Sequence, residues 1–238
     1  MTLAMMQPYF LPYIGYLQLM ACADTFVIFD TAQYISKGWI NRNRILHPDE
    51  EKAWQYISLP IRNKSNFARI IDMEVVNEDF LATLIAKLDF LKKRAPFYSD
   101  TKRFIEELQE TARGIKSLVQ VNTALLEKLI DYLGIGCKLV LESSMSYDRG
   151  GVAHAGQWAL EVADVLGADA YINPESGQGL FSRQEFSARQ IDLRFLRSPN
   201  VSYAQGKRPF TQNLSIIDVL LWNGRAATSE MVRSFNYI

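Results

Sequence analysis

Pro8 and Pro12 bracket Tyr9-Phe10-Leu11, directly after the apolar run Leu3-Ala4-Met5-Met6 and directly before a helical pattern. No other stretch constrains the chain as much. A short apolar run bounded by a turn signal suits a buried strand. The prolines fix φ and hold the residues before them extended, so Gln7 to Pro12 is expected to form a rigid loop. From Tyr13 the spacing becomes that of one helix face, with Ile14, Leu17, Met20 and Cys22-Ala23 roughly three and four apart. Asp24 ends it, and Phe26-Val27-Ile28-Phe29, closed by Asp30, reads as a second buried strand. Strand, loop, helix and strand make a right-handed parallel crossover. Its loop falls outside the carboxyl end of a strand, where open α/β sheets take their ligands.

Downstream, Thr31 to Gly38 is loop and carries Gln33 and Tyr34. Trp39 to Leu46 and Trp54 to Ile61 flank the turn His47 to Lys52, which predicts a β-hairpin. Extended, its first strand places Asn41 and Asn43 on one side and Arg42 and Arg44 on the other. Asn63 to Asn66 reads as loop and Ile70 to Val75 as a short strand. From Asn77 the period turns helical, with Asn77 as cap and Glu78 and Asp79 complementing the dipole. That helix is expected to reach about Arg94; a second runs from Asp100 to about Ala112, and a third from Ser117 to Tyr132 with Gly134 as its C-cap. No flexible linker borders residues 77–134, so they are expected to be a helical insertion or layer within one α/β domain spanning 1–238. Strands at Cys137 to Leu141, Ala170 to Asn173 and Ile191 to Leu196 follow, with helices at His154 to Leu166 and Ser215 to Trp222, the last closed by Gly224. The alternation predicts a mostly parallel, Rossmann-like sheet.

Of the 238 residues 48% are hydrophobic, enough for one sizeable core. Basic and acidic side chains both number 26, and no basic tail exists, so no nucleic-acid partner is expected. No apolar run reaches membrane-spanning length, and the N-terminus lacks the basic region and cleavage site of a signal peptide. Cys22 and Cys137 sit in apolar settings that suit reduced core thiols. A cytoplasmic protein without a membrane partner is the expectation. Gly-x-Ser-x-Gly, zinc spacing, P-loop and Gly-x-Gly-x-x-Gly patterns are all missing, which argues against a serine hydrolase, a zinc enzyme and a dinucleotide-dependent dehydrogenase. No metal-ligand set is expected.

Candidate site residues cluster at three places. In the opening loop, two prolines and a glycine are more than packing requires, although Phe10, Tyr13 and Tyr16 also suit core aromatics. Gly15 lacks the Cβ that would keep backbone from a phosphate, and helix N-terminal amides favour an anion. Trp39 with Asn41, Arg42, Asn43 and Arg44 is a polar segment between apolar strands, and its forked donors suit carboxylate or phosphate; structural pairing is the alternative. Ser176-Gly177-Gln178-Gly179 follows a strand as an anion-binding loop would, and turn chemistry alone also accounts for such a run.

These residues carry a resemblance. Gln7-Pro8-Tyr9-Phe10, Pro12-Tyr13-Ile14-Gly15-Tyr16, Ala23-Asp24, Gly38 to Arg44, Ala170-Tyr171-Ile172 with Ser176-Gly177, and Asn213 to Asp218 resemble the WbqC-like protein family over nearly the whole chain. The resemblance implies a link to surface-polysaccharide synthesis and no settled activity. Thr31 departs from it, standing where a second acidic residue after Asp30 is expected; a metal held by such a pair would be held less well here. A second resemblance is to HIGH-motif nucleotidylyltransferases and pantothenate-synthetase-like ligases, whose His-x-Gly-His falls where Tyr13-Ile14-Gly15-Tyr16 stands. Tyrosines donate hydrogen bonds but supply no imidazolium charge.

The expected function is nucleotide-dependent group transfer, by an ATP-using ligase or nucleotidylyltransferase, on a carboxylate or sugar precursor of surface polysaccharide. Tyr16, Arg42 and Asn41 are the expected catalytic residues. Amides near Gly15 would hold a phosphate, Tyr16 would donate to an α-phosphate oxygen, and Arg42 would clamp developing charge. Gln7, Pro8, Tyr9, Tyr13, Asp30, Gln33, Trp39, Asn43, Ser176, Gly177 and Gly179 are expected to bind substrate or nucleotide, and Tyr16, Asn41, Arg42 and Gly177 to line one cleft. ATP with magnesium is the cofactor hypothesis, and the partner a small molecule such as a nucleotide or nucleotide sugar, with a homodimer left open. Acyl or aminoacyl transfer onto an amino-sugar nucleotide, or a non-catalytic assembly role, are the alternatives.

Overall fold

Leu3, Ala4 and Met5 are all buried, alternating between two separate cores, as the central strand of a parallel sheet demands. The computed structural model describes residues 1–62, 68–76, 79–198 and 201–238. In chain order the strand β1 (Thr2–Met6) leads through the proline loop to α1 (Ile14–Ala21) and β2 (Thr25–Ile28). The hairpin strands β3 (Arg42–Leu46) and β4 (Trp54–Ser58) pair antiparallel, with Arg44 opposite Tyr56. A smaller ribbon joins β5 (Ile61–Arg62) to β6 (Glu74–Val75). Helices α2 (Phe80–Leu88), α3 (Tyr98–Ala112) and α4 (Leu118–Leu133) come next, followed by β7 (Lys138–Leu141) and α5 (Ala155–Val165). The chain closes with β8 (Ala170–Pro174), α6 (Arg183–Ala188), β9 (Asp192–Arg197), α7 (Ile216–Val232) and β10 (Asn236–Tyr237).

The main sheet has six strands in the order β10-β9-β8-β1-β2-β7, and every pairing is parallel except the antiparallel edge β10. Counted along the chain, this is the doubly wound Rossmann order: the chain moves outward from β1 through β2 to β7, then crosses back to β8 on the other side. The strand order therefore reverses between β1 and β8. On one face Ala4, Phe26 and Ile28 pack with Leu17 and Met20 of α1, Leu126 of α4 and Leu220 of α7, and α2 and α3 join the same core through Leu84 and Phe104. On the other face Leu3, Met5 and Val27 pack with Leu160 and Ala163 of α5 and Phe186 of α6.

Differences from the sequence expectation are the unexpected short elements α6 and β10 and, elsewhere, element ends. Ile70–Asp72 is a 3-10 turn, leaving only Glu74–Val75 as strand. The helix expected to reach Arg94 gives way to a 3-10 turn at Asp89–Leu91, and its expected cap residues Asn77 and Glu78, like the loop residues Asn63 to Asn66, lie outside the described residues. Gly224 does interrupt a helix (φ 71°, ψ 178°), but helix resumes beyond it to Val232. A Cβ at Gly224 would lie 2.7 Å from the Phe97 ring, so that contact is what the break accommodates. Gly134 caps α4 as expected and is left-handed, while Ser117, expected as the first helical residue, is its N-cap, its side chain accepting from the Gln120 amide. Cys22 and Cys137 are free, and burial pushes both thiols up to about 12, which keeps them protonated. No helix among the described residues is long and apolar enough to cross a membrane.

Candidate functional site

The loop between β1 and α1 is locked carbonyl by carbonyl. A buried backbone C=O needs a donor, and the donors come from four other parts of the chain. Tyr16 Oη donates to Gln7 O at 2.8 Å, and Asn122 Nδ2 of α4 donates to Pro8 O at 2.9 Å and to Ile40 O at 2.7 Å. Asn43 Nδ2 donates to Phe10 O and Leu11 O at 3.0 and 2.9 Å. Ser215 Oγ also donates to Leu11 O (2.7 Å), and the Ile216 amide to Pro12 O (2.7 Å). Leu11 is held at a φ of 41°, in the left-handed region that a leucine seldom enters. Such a conformation persists only where its surroundings over-determine it.

One end of this loop lines a crevice of about 340 Å³ at the carboxyl ends of β1 and β8, where the strand order reverses. Gln7 and Tyr9 form one wall. Asn173, Ser176 and Gly177, on and after β8, form the second, while Trp158 of α5, Phe29 and Phe181 supply an aromatic floor. Phe29 and Trp158 rings lie 5.7 Å apart, and Phe181 packs 5.5 Å from the fully buried Tyr171. Asn173 is itself buried, its amide donating to Tyr171 Oη at 3.0 Å. A Cβ on Gly177 would come 2.3 Å from Asn173 Oδ1, so only glycine lets the turn approach so closely. The lining is chiefly apolar and aromatic, with a few convergent amide and hydroxyl groups, as ligand sites generally are.

The residues singled out from sequence separate into groups. Gln7, Tyr9, Ser176 and Gly177 meet at this crevice, with Pro8 buried behind it. Tyr16 is 1% exposed, stacked 5.2 Å from Tyr9, and its hydroxyl is spent on Gln7 O. Burial raises the Tyr9, Tyr13 and Tyr16 phenols, so all three stay protonated donors at neutral pH. Gly15 is tied to packing, since a Cβ there would lie 2.6 Å from the Tyr13 ring. Asn41 accepts from Tyr34 Oη at 2.9 Å and donates to Leu59 O at 3.0 Å. Arg42 stacks 4.3 Å from the Tyr56 ring and gives its donors to the Gly38 and Lys37 carbonyls. Tyr16, Asn41 and Arg42 thus do not share a cleft with Gly177, because their polar atoms are committed to neighbouring backbone. Tyr13, Trp39 and Asn43 border a different cavity. Gln33 is exposed and bridges Arg69, and Gly179 is exposed.

Asp30 is completely buried, and both carboxylate oxygens are taken by Ser143, through its amide at 2.9 Å and its hydroxyl at 2.6 Å. Thr31 donates to the equally buried Glu142, which also takes the Tyr147 hydroxyl and Arg149 Nε. Thr31 therefore completes a satisfied network that ties the ends of β2 and β7 together. Among the described residues no group of three or more His, Cys, Asp and Glu could hold a metal ion.

Sequence reasoning passed over Asn122, Trp158, Asn173 and Phe181. Asn122 had a signal: it falls on the apolar stripe of α4 with Leu118, Leu125 and Leu129, where an amide needs buried partners. The others depend on which strands adjoin, which no local pattern contains.

A family model described as the WbqC-like protein family matches residues 7–230. Over 245 aligned residues, covering 97% of this chain and 96% of the other, the chain is 25% identical to the uncharacterized protein Rv1507c of Mycobacterium tuberculosis. No solved structure matches.

Proposed function

The chain belongs to the WbqC-like protein family, and from that premise we propose that it carries out nucleotide-dependent group transfer on a carboxylate or sugar precursor of surface polysaccharide. The observation that carries the nucleotide part is the crevice at the β1–β8 reversal, the place where doubly wound sheets bind nucleotides. Its volume of about 340 Å³ and the Trp158, Tyr9 and Phe181 rings suit a base, while Gln7, Asn173 and Ser176 offer amide and hydroxyl contacts. The first turn of α5 also borders it, so helix amides favour a phosphate at that end. Magnesium, in this reading, arrives as the chelate of the phosphates. Tyr16, Asn43 and Asn122 act as supports that hold the loop for binding. The polysaccharide part rests on the family resemblance alone.

The test is a thermal-shift screen of nucleotides, nucleotide sugars and acyl donors. A nucleotide at a hundredfold its dissociation constant stabilises the fold by about 2.7 kcal/mol, and Trp158→Ala should abolish that gain. Indifference to every nucleotide, with stabilisation by an acyl donor, would replace this reading with acyl transfer, which the largely apolar lining also suits.

A further inference from the structure

We propose that Arg44, held between Trp39 and Trp54, is an anion-binding site for the phosphate or carboxylate group of a small ligand. Strand β3 presents Arg42 and Arg44 on one face, and the two arginines are used differently. Arg42 is a structural residue, its donors committed to the Gly38 and Lys37 carbonyls. Arg208 is committed in the same way, to the His47 and Pro48 carbonyls. Arg44 is not. Its guanidinium lies 5.1 Å from the ring centroids of both Trp39 and Trp54, and its one side-chain hydrogen bond among the described residues runs from Nη2 to Asn213 O at 3.2 Å. Among the described residues Nε is buried without any acceptor, and no Asp or Glu pairs with the charge.

A desolvated donor on a charged group is costly to leave unmet, and so invites an explanation. Both indole rings lie against the guanidinium, whose N–H donors are the groups that match a planar or tetrahedral oxyanion bidentately. Room exists for one. Arg44, Tyr13, Trp39, Asn43 and Asn213 enclose a cavity of about 250 Å³. The strand carrying Arg44 is pinned, its amide donating to Asn43 Oδ1 and its carbonyl accepting from the Ser215 amide, both at 2.8 Å. Asn213 sits in the left-handed region at φ 57°, which an asparagine tolerates. Tyr13 and Asn213 also border a cavity of about 420 Å³ that includes Gly15 at the start of α1, where the uncharged remainder of the ligand can extend.

This site does not depend on the nucleotide reading of the crevice. The test titrates the intrinsic tryptophan emission of the full chain, at constant ionic strength with chloride as the balancing anion, using inorganic phosphate in one arm and acetate in the other. Trp39 and Trp54 touch the guanidinium, so a saturable change is expected, weakened at least tenfold in Arg44→Gln and partly retained in Arg44→Lys. The arm that saturates at lower concentration identifies the group. In parallel, the Arg44 Hε–Nε cross-peak of the wild-type protein should move with the same anion, a readout that survives if the Gln variant does not fold. No saturable change with either anion, an Arg44→Gln titration like wild type, or an unmoved cross-peak would overturn the proposal.

Discussion

Asp218 offers a prediction whose size follows from its surroundings. It lies in the first turn of α7, completely buried, and its Oδ2 accepts from Tyr203 Oη and from Gln205 Nε2, both at 2.7 Å. Among the described residues no donor lies within hydrogen-bond distance of its Oδ1, although the Trp222 indole is near enough to favour the charged form. Burial pushes its pKa from the ordinary 3.8 up to about 6, against the opposing pull of Tyr203, Gln205 and the Trp222 indole. A carboxyl whose folded pKa exceeds its unfolded one binds its proton more tightly when folded. Its contribution is thus fully present below pH 3.8 and is lost as pH rises through about 6. Integrating between those values, the loss from pH 5 to pH 8 is on the order of 1 kcal/mol. The perturbation is Asp218→Asn, which keeps an oxygen for Tyr203 and Gln205 but cannot ionise. Urea unfolding of both proteins at pH 5 and pH 8 gives the difference directly, and the two histidines, common to both, cancel. Wild type should lose on the order of 1 kcal/mol relative to the Asn variant over that interval. Parallel pH profiles would refute the argument, because they would mean that Asp218 ionises when folded as easily as when unfolded.

Two further substitutions probe the loop. Asn122→Ala removes donors from the Pro8 and Ile40 carbonyls and leaves both buried, so chemical denaturation should show a loss of roughly 2–5 kcal/mol; a loss under about 1 kcal/mol would mean that other donors replace it. Tyr16→Phe deletes only the bond to Gln7 O, and should cost about 1 kcal/mol while the protein stays folded. A larger loss would point to a role for the hydroxyl beyond this contact.

Much of the architecture was legible because apolar runs and turn residues are local. Leu3 to Met6 reads as strand from composition alone, and the Gly134 cap marks the end of α4 from a single residue. The carboxyl-end position of the Gln7 loop followed from strand-loop-helix order. Strand order did not follow. That β8 adjoins β1, bringing Asn173 and Gly177 to Gln7, is a pairing of residues far apart in sequence, which no periodicity encodes. The edge strand β10 escaped for a related reason: at Asn236–Tyr237 it is short, exposed and defined only by its partner β9.

The harder distinction was between donors aimed at a ligand and donors aimed at the protein's own backbone. Asn41, Asn43 and Arg42 carry the forked donors that suit an oxyanion, and those same donors suit carbonyls in a loop with no strand to pair with. A proline loop makes this need acute. Pro8 and Pro12 contribute carbonyls but no amides, and the extended backbone they impose cannot bond to itself. Gln7, Pro8, Phe10, Leu11 and Pro12 therefore draw Tyr16, Asn122, Asn43, Ser215 and the Ile216 amide from four other parts of the chain. The polar residues that the opening loop seemed to recruit for chemistry are largely those it requires to be rigid. What rigidity provides is position: Gln7 and Tyr9 are fixed at the crevice, and Tyr13 is fixed beside Arg44. The functional groups are then best sought among those with unspent valence at the two ends of the loop, the amides and rings around Asn173 and Trp158 and the unpartnered Nε of Arg44.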